Sequence, residues 1–417
     1  MILTGLHPYI SRSRASPSVR DSELDLDRLR ADTPSASRHI HLNNAGAALQ
    51  PAPVVEAVIE HLRLEQEIGG YEAADAATHR IEAAYQAVAA LVGGEPSQVA
   101  MVEHATAGFV AALSSVPFRS GDVILTTRHD YTSNQIQYLN LSDRFGVEVV
   151  RAPDGPDGGV DVGAMRDLVH RRRPRIVAMT HVPTNSGLVQ DVASVGEACR
   201  ERDVLFLVDA CQSVGQMPVD AEAIGADFLS ATGRKFLRGP RGSGFLWVSE
   251  RALDAGLLPL FPDLRGTDWI APDLTQPSPD ARRFETWEFA WSLVIGLGVA
   301  AEYATTVGLE PIRDRVRALA SRMRERIGGI DGMRVLDRGP ELCGIVTATH
   351  DRISAERLRD GLRLEGVHTS WLSRESAVLD FDDKQTETAL RISPHYYNTD
   401  EEIERAMDIL ARIVSDA

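Results

Sequence analysis

Residues Phe206–Trp247 read FLVDACQSVGQMPVDAEAIGADFLSATGRKFLRGPRGSGFLW. The apolar run Val204–Val208 ends at Asp209, and a second short run, Phe228–Ser230, leads to Lys235 in Thr-Gly-Arg-Lys. A Gly-rich turn then carries the chain into a third run, Phe245–Val248. Short apolar runs bounded by turn residues predict buried strands. One carboxylate and one lysine thus stand just past the ends of predicted strands.

The same pattern extends on both sides. Runs of strand length occur at Val99–Val102, Val123–Thr126, Val147–Val150 and Ile176–Thr180, and helical periodicity fills gaps such as Ala107–Leu113 and Val192–Arg200. Continuous apolar strands alternating with helices predict an α/β fold with a mostly parallel, mixed sheet covered on both faces. Such sheets bind ligands at the carboxyl ends of their strands. A helix is predicted over Pro53–Gln66, where Val54, Val55, Val58, Ile59 and Leu62 share a face. After about Ser292 a long helical stretch runs to Ile327. Short strands follow near Met333–Leu336, Gly344–Thr349 and Ala389–Ser393, with a last amphipathic helix over Asp400–Ile413. The expected organisation is a loosely held polar arm over 1–38, a large domain over 39–291 and a smaller α+β domain over 292–417, against which the N-terminal segment packs.

Composition removes several classes of function. The 417 residues are 43% hydrophobic and 25% charged, with a formal net charge of −16. This suits a globular core and argues against nucleic acid or an anionic membrane surface as a general partner. Three scattered cysteines, Cys199, Cys211 and Cys343, suggest neither a disulfide framework nor a zinc site, and a reducing cytoplasm is the expected compartment. The first residues lack the apolar core of a signal peptide. The apolar run Leu293–Ala301 is too short for a membrane span. No P-loop, nucleophile elbow or metal-ligand motif occurs, and Gly296-Leu-Gly298 reads as helix packing because no strand precedes it.

What remains is the lysine and the carboxylate. A lysine is nucleophilic only when neutral, so it needs a desolvated, electropositive pocket, and Arg234 and Arg238 are expected to supply positive charge. Lys235 condensed with an aldehyde, and Asp209 holding a pyridine nitrogen protonated, are the two groups a pyridoxal phosphate enzyme requires. The plainer reading of Asp209 is a helix N-cap, and that of Lys235 a surface loop residue. In His104-Ala-Thr-Ala-Gly108, small residues opening a helix suit a phosphate, and Thr106 is either a phosphate ligand or an ordinary N-cap. Tyr131 follows a strand, where it could stack on a planar ring or line the core. Arg391, in the last predicted strand, has the fork that grips an α-carboxylate, the alternative being a surface ion pair.

Together these residues resemble the class V aminotransferase family, fold-type I pyridoxal phosphate enzymes that include cysteine desulfurases, selenocysteine lyase and isopenicillin N epimerase-like proteins. The likeness runs from Leu42-Asn-Asn-Ala-Gly46 to Tyr397-Asn-Thr399. It implies that Lys235 carries the cofactor and Asp209 partners its ring nitrogen. It further implies that Gln212 and Thr184 lie near the phenolic oxygen, that Thr106, Ala107, Thr232 and Arg234 hold the phosphate, and that Tyr131 stacks on the ring. Arg391 and Asn44 would bind substrate. It also implies a homodimer with shared active sites, to which the segment around Phe284–Trp291 contributes.

Two departures shape the expected activity. Desulfurases carry a catalytic cysteine shortly before the carboxylate arginine, and Gly366–Ala377 has none. The expectation is therefore a lyase that expels sulfur from a cysteine S-conjugate or sulfoxide by β-elimination in secondary or thiol metabolism, and not a cysteine desulfurase. The stretch Glu67-Ile-Gly-Gly-Tyr-Glu-Ala73 resembles sulfoxide lyases of thiol-histidine biosynthesis and related C–S lyases. The alternatives are an aminotransferase, epimerase or decarboxylating enzyme using the same lysine, and a catalytically silent scaffold. Arg234 and Thr184 also replace the family's more usual histidine and asparagine.

Overall fold

The structure is a computed structural model and describes residues 24–416. Seven strands form the central sheet: β1 (Val99–Val102), β2 (Val123–Thr126), β3 (Glu148–Arg151), β4 (Ile176–Thr180), β5 (Leu205–Asp209), β6 (Phe228–Thr232) and β7 (Gly244–Val248). Their order is β1-β7-β6-β5-β4-β2-β3. All neighbours are parallel except the two pairs made by β7. The sheet is thus mixed, and two buried apolar clusters cover its faces, one around Val208, Leu229 and Phe245 and the other around Ile124, Leu207 and Leu246. Register places Thr180, Asp209 and Ser230 side by side across β4, β5 and β6. The carboxyl ends of these strands form one rim.

A second, four-stranded antiparallel sheet carries β8 (Met333–Val335), β9 (Val346–His350), β10 (Ser370–Ser373) and β11 (Thr388–Ile392), in the order β8-β9-β11-β10. Its core is closed by the N-terminal segment. Ile40–His41 pairs in parallel with Val367–His368, and Ile40 and Leu42 join the cluster of Val346, Leu358, Leu390 and Leu410.

The sequence expectation of a loose arm fails for the part that is described, residues 1–23 lying outside the described residues. Leu26–Ala31 is helical, and Leu29, Thr33 and Ala36 are buried. Those few apolar side chains have a tyrosine-rich surface to pack on, around Tyr396 and Tyr397. The stretch read as one long helix is two, Trp291–Val307 and Leu309–Gly328, bent by 80° at Gly308, whose φ is +96°. No single helix among the described residues is long and apolar enough to cross a membrane.

Gly296 and Gly298 pack as expected. A Cβ at Gly298 would sit 2.5 Å from Ala84 of the Thr78–Leu91 helix, and one at Gly296 2.5 Å from Val58 of the Ala52–Ile68 helix. Backbones this close admit no side chain. Gly298→Val is expected to destabilise the fold by about 3 kcal/mol through overpacking, read as a lower urea midpoint at unchanged m-value; an unchanged midpoint would show that the helices separate without cost.

Candidate active site

At the carboxyl ends of β1, β2, β4, β5 and β6 lies a cavity of about 370 Å³, within the range of small-molecule sites, roughly 300–1,000 Å³. Its wall includes Thr106, Tyr131, Thr184, Asp209, Gln212, Thr232, Arg234 and Lys235. A larger cavity, about 710 Å³, lies around Leu188, Val192 and Met217 and contains neither Lys235 nor Asp209.

Lys235 follows β6 by three residues and is only 8% exposed. Its Nζ makes no hydrogen bond or ion pair among the described residues, and the nearest aromatic face is Tyr131, 5.9 Å from Nζ to the ring centroid. Burial pulls its pKa below the ordinary lysine value; Arg234 and Arg391 act the same way, while Cys211 and Asp209 oppose them. A larger neutral fraction at neutral pH makes the amine a better nucleophile and base.

Asp209 ends β5 and is buried. One oxygen accepts the Cys211 N–H at 3.0 Å and the other the Asn134 amide at 3.2 Å. Asn134 also donates to Asp130 at 3.1 Å. Asp130 in turn accepts from Thr126, Tyr138, Thr180 and the Tyr131 N–H. Burial raises the Asp130 pKa and these donors lower it. Five donors thus lock the loop that presents Tyr131, and they aim Asn134 at Asp209. Sequence reading missed Asp130 and Asn134. Their signal was the four-residue spacing Asp130–Asn134–Tyr138, which puts Asn134 and Tyr138 on one face of the Thr132–Phe145 helix with Asp130 just before its N-cap.

Arg391 lies on β11 and is buried without a carboxylate. It donates to Thr184 Oγ1 at 2.7 Å, to the Thr184 carbonyl at 3.2 Å and to Asn43 Oδ1 at 3.5 Å. Burial, reinforced by Arg234, lowers its pKa to about 10. It stands behind Thr184 rather than on the cavity wall itself. Thr184 Oγ1 also accepts from Gln212 at 3.0 Å.

Three expectations need correction. Asn44 does not face the cavity: it is fully buried, its amide donating to the Ser393 carbonyl at 2.7 Å and its oxygen accepting from Tyr397 at 2.6 Å. Its neighbour Asn43 is the residue turned toward Arg391, the opposite face of an extended segment. Ala107 is off the wall, its N–H bonded to His104 Nδ1 at 3.1 Å and the His104 carbonyl at 3.0 Å. The N-cap of the Ala105–Ser114 helix is thus His104, not Thr106. Arg238 points away from Lys235, toward Tyr396 and Tyr397.

The residues present suit pyridoxal phosphate. Lys235, Arg234 and Arg241 on the wall and Arg391 behind it form a cationic pocket in a chain of net charge −16. Arg391 Nε and Gln212 Oε1 are buried without partners. Such groups call for an anion and a polar ligand. Asp209 lines the same cavity and is the carboxylate that would keep a ring nitrogen protonated.

A second cluster ties the two sheets' domains together beside this cavity. His129 Nε2 meets Asp154 at 3.1 Å and Nδ1 lies 3.4 Å from Asp380. Asp380 also takes Lys384 at 2.7 Å and Asn185 at 2.7 Å, and Thr132 bonds the Ser376 carbonyl. Burial disfavours the charged imidazole, but Asp154 and Asp380 together lift its pKa to about 9.

A class of protein follows from this fold and pocket, the fold-type I enzymes that use pyridoxal phosphate. The profile described as "Aminotransferase class-V" matches residues 40–406, and the chain belongs to that family. It is 28% identical over 402 residues to a probable cysteine desulfurase of Methanothermobacter thermautotrophicus, covering 92% of this chain and 97% of that one. It is 29% identical over 401 residues to a probable hercynylcysteine sulfoxide lyase of Mycobacterium tuberculosis, covering 96% and 95%. A solved cysteine desulfurase from Thermococcus onnurineus superposes with a TM-score of 0.86 at 23% identity over 95% and 99% of the two chains. The chain is an enzyme, and its cofactor is pyridoxal phosphate. These relatives overturn the expectation that excluded cysteine desulfurases in favour of S-conjugate elimination. A missing cysteine in Gly366–Ala377 therefore does not set the chain apart from relatives named for that activity.

The His129 cluster has a pH signature. Its folded pKa lies above the ordinary 6.5, so its stabilisation is complete below pH 6.5 and is lost as pH rises through about 9. The stability gap between the wild type and His129→Gln, measured in urea, is expected to be widest near pH 6 and to close by about pH 10. A gap independent of pH would refute this.

Proposed function

We propose that this enzyme cleaves the carbon–sulfur bond of L-cysteine and hands the sulfur to a thiol from solution. L-Cysteine and RSH become L-alanine and RSSH, with all atoms retained. The observation that carries the proposal is Lys235 and Asp209 in one cavity beside an Arg391 that has no carboxylate partner, on a chain that relatives named for desulfurisation match over 92% and 97% of its length.

Bound pyridoxal phosphate supplies a sink for the electron pair left at Cα. The chain's residues do the rest. Lys235 holds the cofactor and, as a neutral amine, moves the proton at Cα. Asp209, aimed by Asn134, holds the proton at the ring nitrogen. Arg391 takes the substrate carboxylate, oriented by Thr184 and Asn43. Thr106, Thr232 and Arg234 hold the phosphate, Gln212 and Thr184 the phenolic oxygen, and Tyr131 covers the ring.

Cys211 lines the cavity but is poorly suited to be the acceptor. Burial raises its pKa far above the ordinary thiol value, and a protonated thiol is a poor nucleophile. Cys199 and Cys343 are buried away from the cavity. With L-cysteine and dithiothreitol, the holoenzyme is expected to form alanine and sulfide one to one, with turnover dependent on added thiol. Cys211→Ala should keep at least half the rate, Lys235→Ala none, and Arg391→Ala should raise KM at least tenfold. Pyruvate and ammonia appearing in place of alanine would sink the proposal.

We further infer a cytoplasmic homodimer built of a 39–291 domain and a 292–417 domain. The three free cysteines support a reducing compartment. The Thr267–Ala271/Leu274–Pro277 hairpin and the loop before it expose Phe261 at 85% and Trp269 at 77%, an apolar patch that a second copy would cover. Phe284 and Glu285 are buried in their own chain, Glu285 bonding Tyr85 and the Met101 N–H, so the part of that segment free to reach a partner begins at Thr286. Light scattering is expected to give a dimer for the wild type and a monomer for Phe261→Asp/Trp269→Asp; a wild-type monomer would refute this.

A further inference from the structure

Arg238 is a buried charge that none of the chemistry above uses. It is 1% exposed, and its polar partners are all neutral: Nε donates to the Leu49 carbonyl at 2.8 Å, one terminal nitrogen to Tyr396 Oη at 2.5 Å, the other to Thr33 Oγ1 at 2.6 Å. The faces of Tyr397, Tyr396 and Tyr303 surround the guanidinium at 4.6, 5.1 and 5.8 Å. Three stretches remote in sequence, at 33–49, 303 and 396–397, therefore converge on one side chain. A buried cation held by aromatic faces and neutral acceptors is costly to assemble, and removing it strands each acceptor.

Its backbone is equally unusual. Arg238 has φ +62°, a conformation L-residues with long side chains rarely take and that persists only where the surroundings over-determine it. Its N–H closes a turn onto the Lys235 carbonyl at 2.9 Å. On the other side of the lysine, the Ala48 N–H holds the Arg234 carbonyl at 2.9 Å, and Gly233 and Gly239 are joined at 2.8 Å. Lys235 is thus the one residue of this turn whose side chain enters the cavity unbonded, while Arg238 leaves in the opposite direction and is gripped at each of its three nitrogens.

We propose that Arg238 is a positioning residue: by anchoring to Thr33, Leu49 and Tyr396 it keeps its own left-handed backbone at the end of the 235–238 turn and so aims Lys235 Nζ into the cavity. This rests on reading Lys235 as the lysine that carries the cofactor. It follows that the segment 33–49 and the pair Tyr396–Tyr397, which do not line the cavity, set the lysine's position through this one guanidinium.

The test uses Arg238→Met, which removes the charge and keeps the stem, and Arg238→Lys, which keeps the charge and loses the fork. Thr33→Val, which removes one anchor, serves if Arg238→Met does not fold. In cofactor-free protein, Lys235 is labelled by formaldehyde and cyanoborohydride across pH and read by peptide mass. The labelling midpoint is expected to rise by about one pH unit in Arg238→Met and less in Arg238→Lys, as the amine moves toward solvent. In the loaded enzyme, cofactor release should quicken at least tenfold in Arg238→Met, with far-UV circular dichroism unchanged. A labelling midpoint and release rate within twofold of wild type in all variants, whatever the loss in thermal stability, would overturn the proposal. If wild type binds no pyridoxal phosphate, the reading of Lys235 fails, and the labelling midpoints still decide the role of Arg238.

Discussion

The site depends on a lysine enclosed among cations with no carboxylate touching its amine. Desolvation alone disfavours an ammonium there, and Arg234 and Arg391 add to the effect. A single acidic partner within 4 Å would reverse that balance and pin the side chain. Asp209 is close enough to be felt and too far for an ion pair. It is kept at its post by Cys211 N–H and by Asn134. The central sheet makes this spacing possible, because adjacent parallel strands β5 and β6 end side by side and deliver the two groups to one rim.

Around that rim the protein separates holding from reacting. Groups at the cavity wall or just behind it have unused bonding capacity: Lys235 Nζ and Gln212 Oε1 on the wall, and Arg391 Nε behind Thr184. The groups behind them are saturated. Asp130 accepts from five donors, Asn44 is spent on Ser393 and Tyr397, and Arg238 is bonded at each nitrogen. Saturated groups in a low-dielectric interior resist displacement, so the reactive ones can stay unsatisfied without drifting.

Much of this was legible in the residues. Strand-length apolar runs located all seven strands of the main sheet to within about a residue or two, and Asp209 and Lys235 could be assigned to the rim because each follows such a run. Less visible was whatever depends on which of two adjacent residues faces inward. Asn43 and Asn44 are chemically identical, and a one-residue slip in an extended segment turns one for the other. The cap at His104 was hidden because histidine is an uncommon N-cap while Thr106, two residues on, is a usual one. The bend at Gly308 was hidden because apolar periodicity continues on both sides of it. The absent cysteine in Gly366–Ala377 misled for another reason. That segment pairs with Ile40–His41 and edges the smaller sheet, and none of it lines the cavity, so its composition does not describe the cavity.

The pairing of Ile40–His41 with Val367–His368 has a consequence for how the protein comes to be made. During synthesis Ile40 and Leu42 leave the ribosome long before Val346, Leu390 and Leu410, the residues that bury them. At about 10 residues per second the wait is on the order of half a minute. The large sheet, complete by Val248, has everything it needs in that interval, whereas the strip beginning at Ile40 must remain unpartnered. The smaller unit therefore matures last, by capturing a segment translated first. A nascent chain halted near residue 330 would display that greasy strip to any chaperone or neighbouring polypeptide.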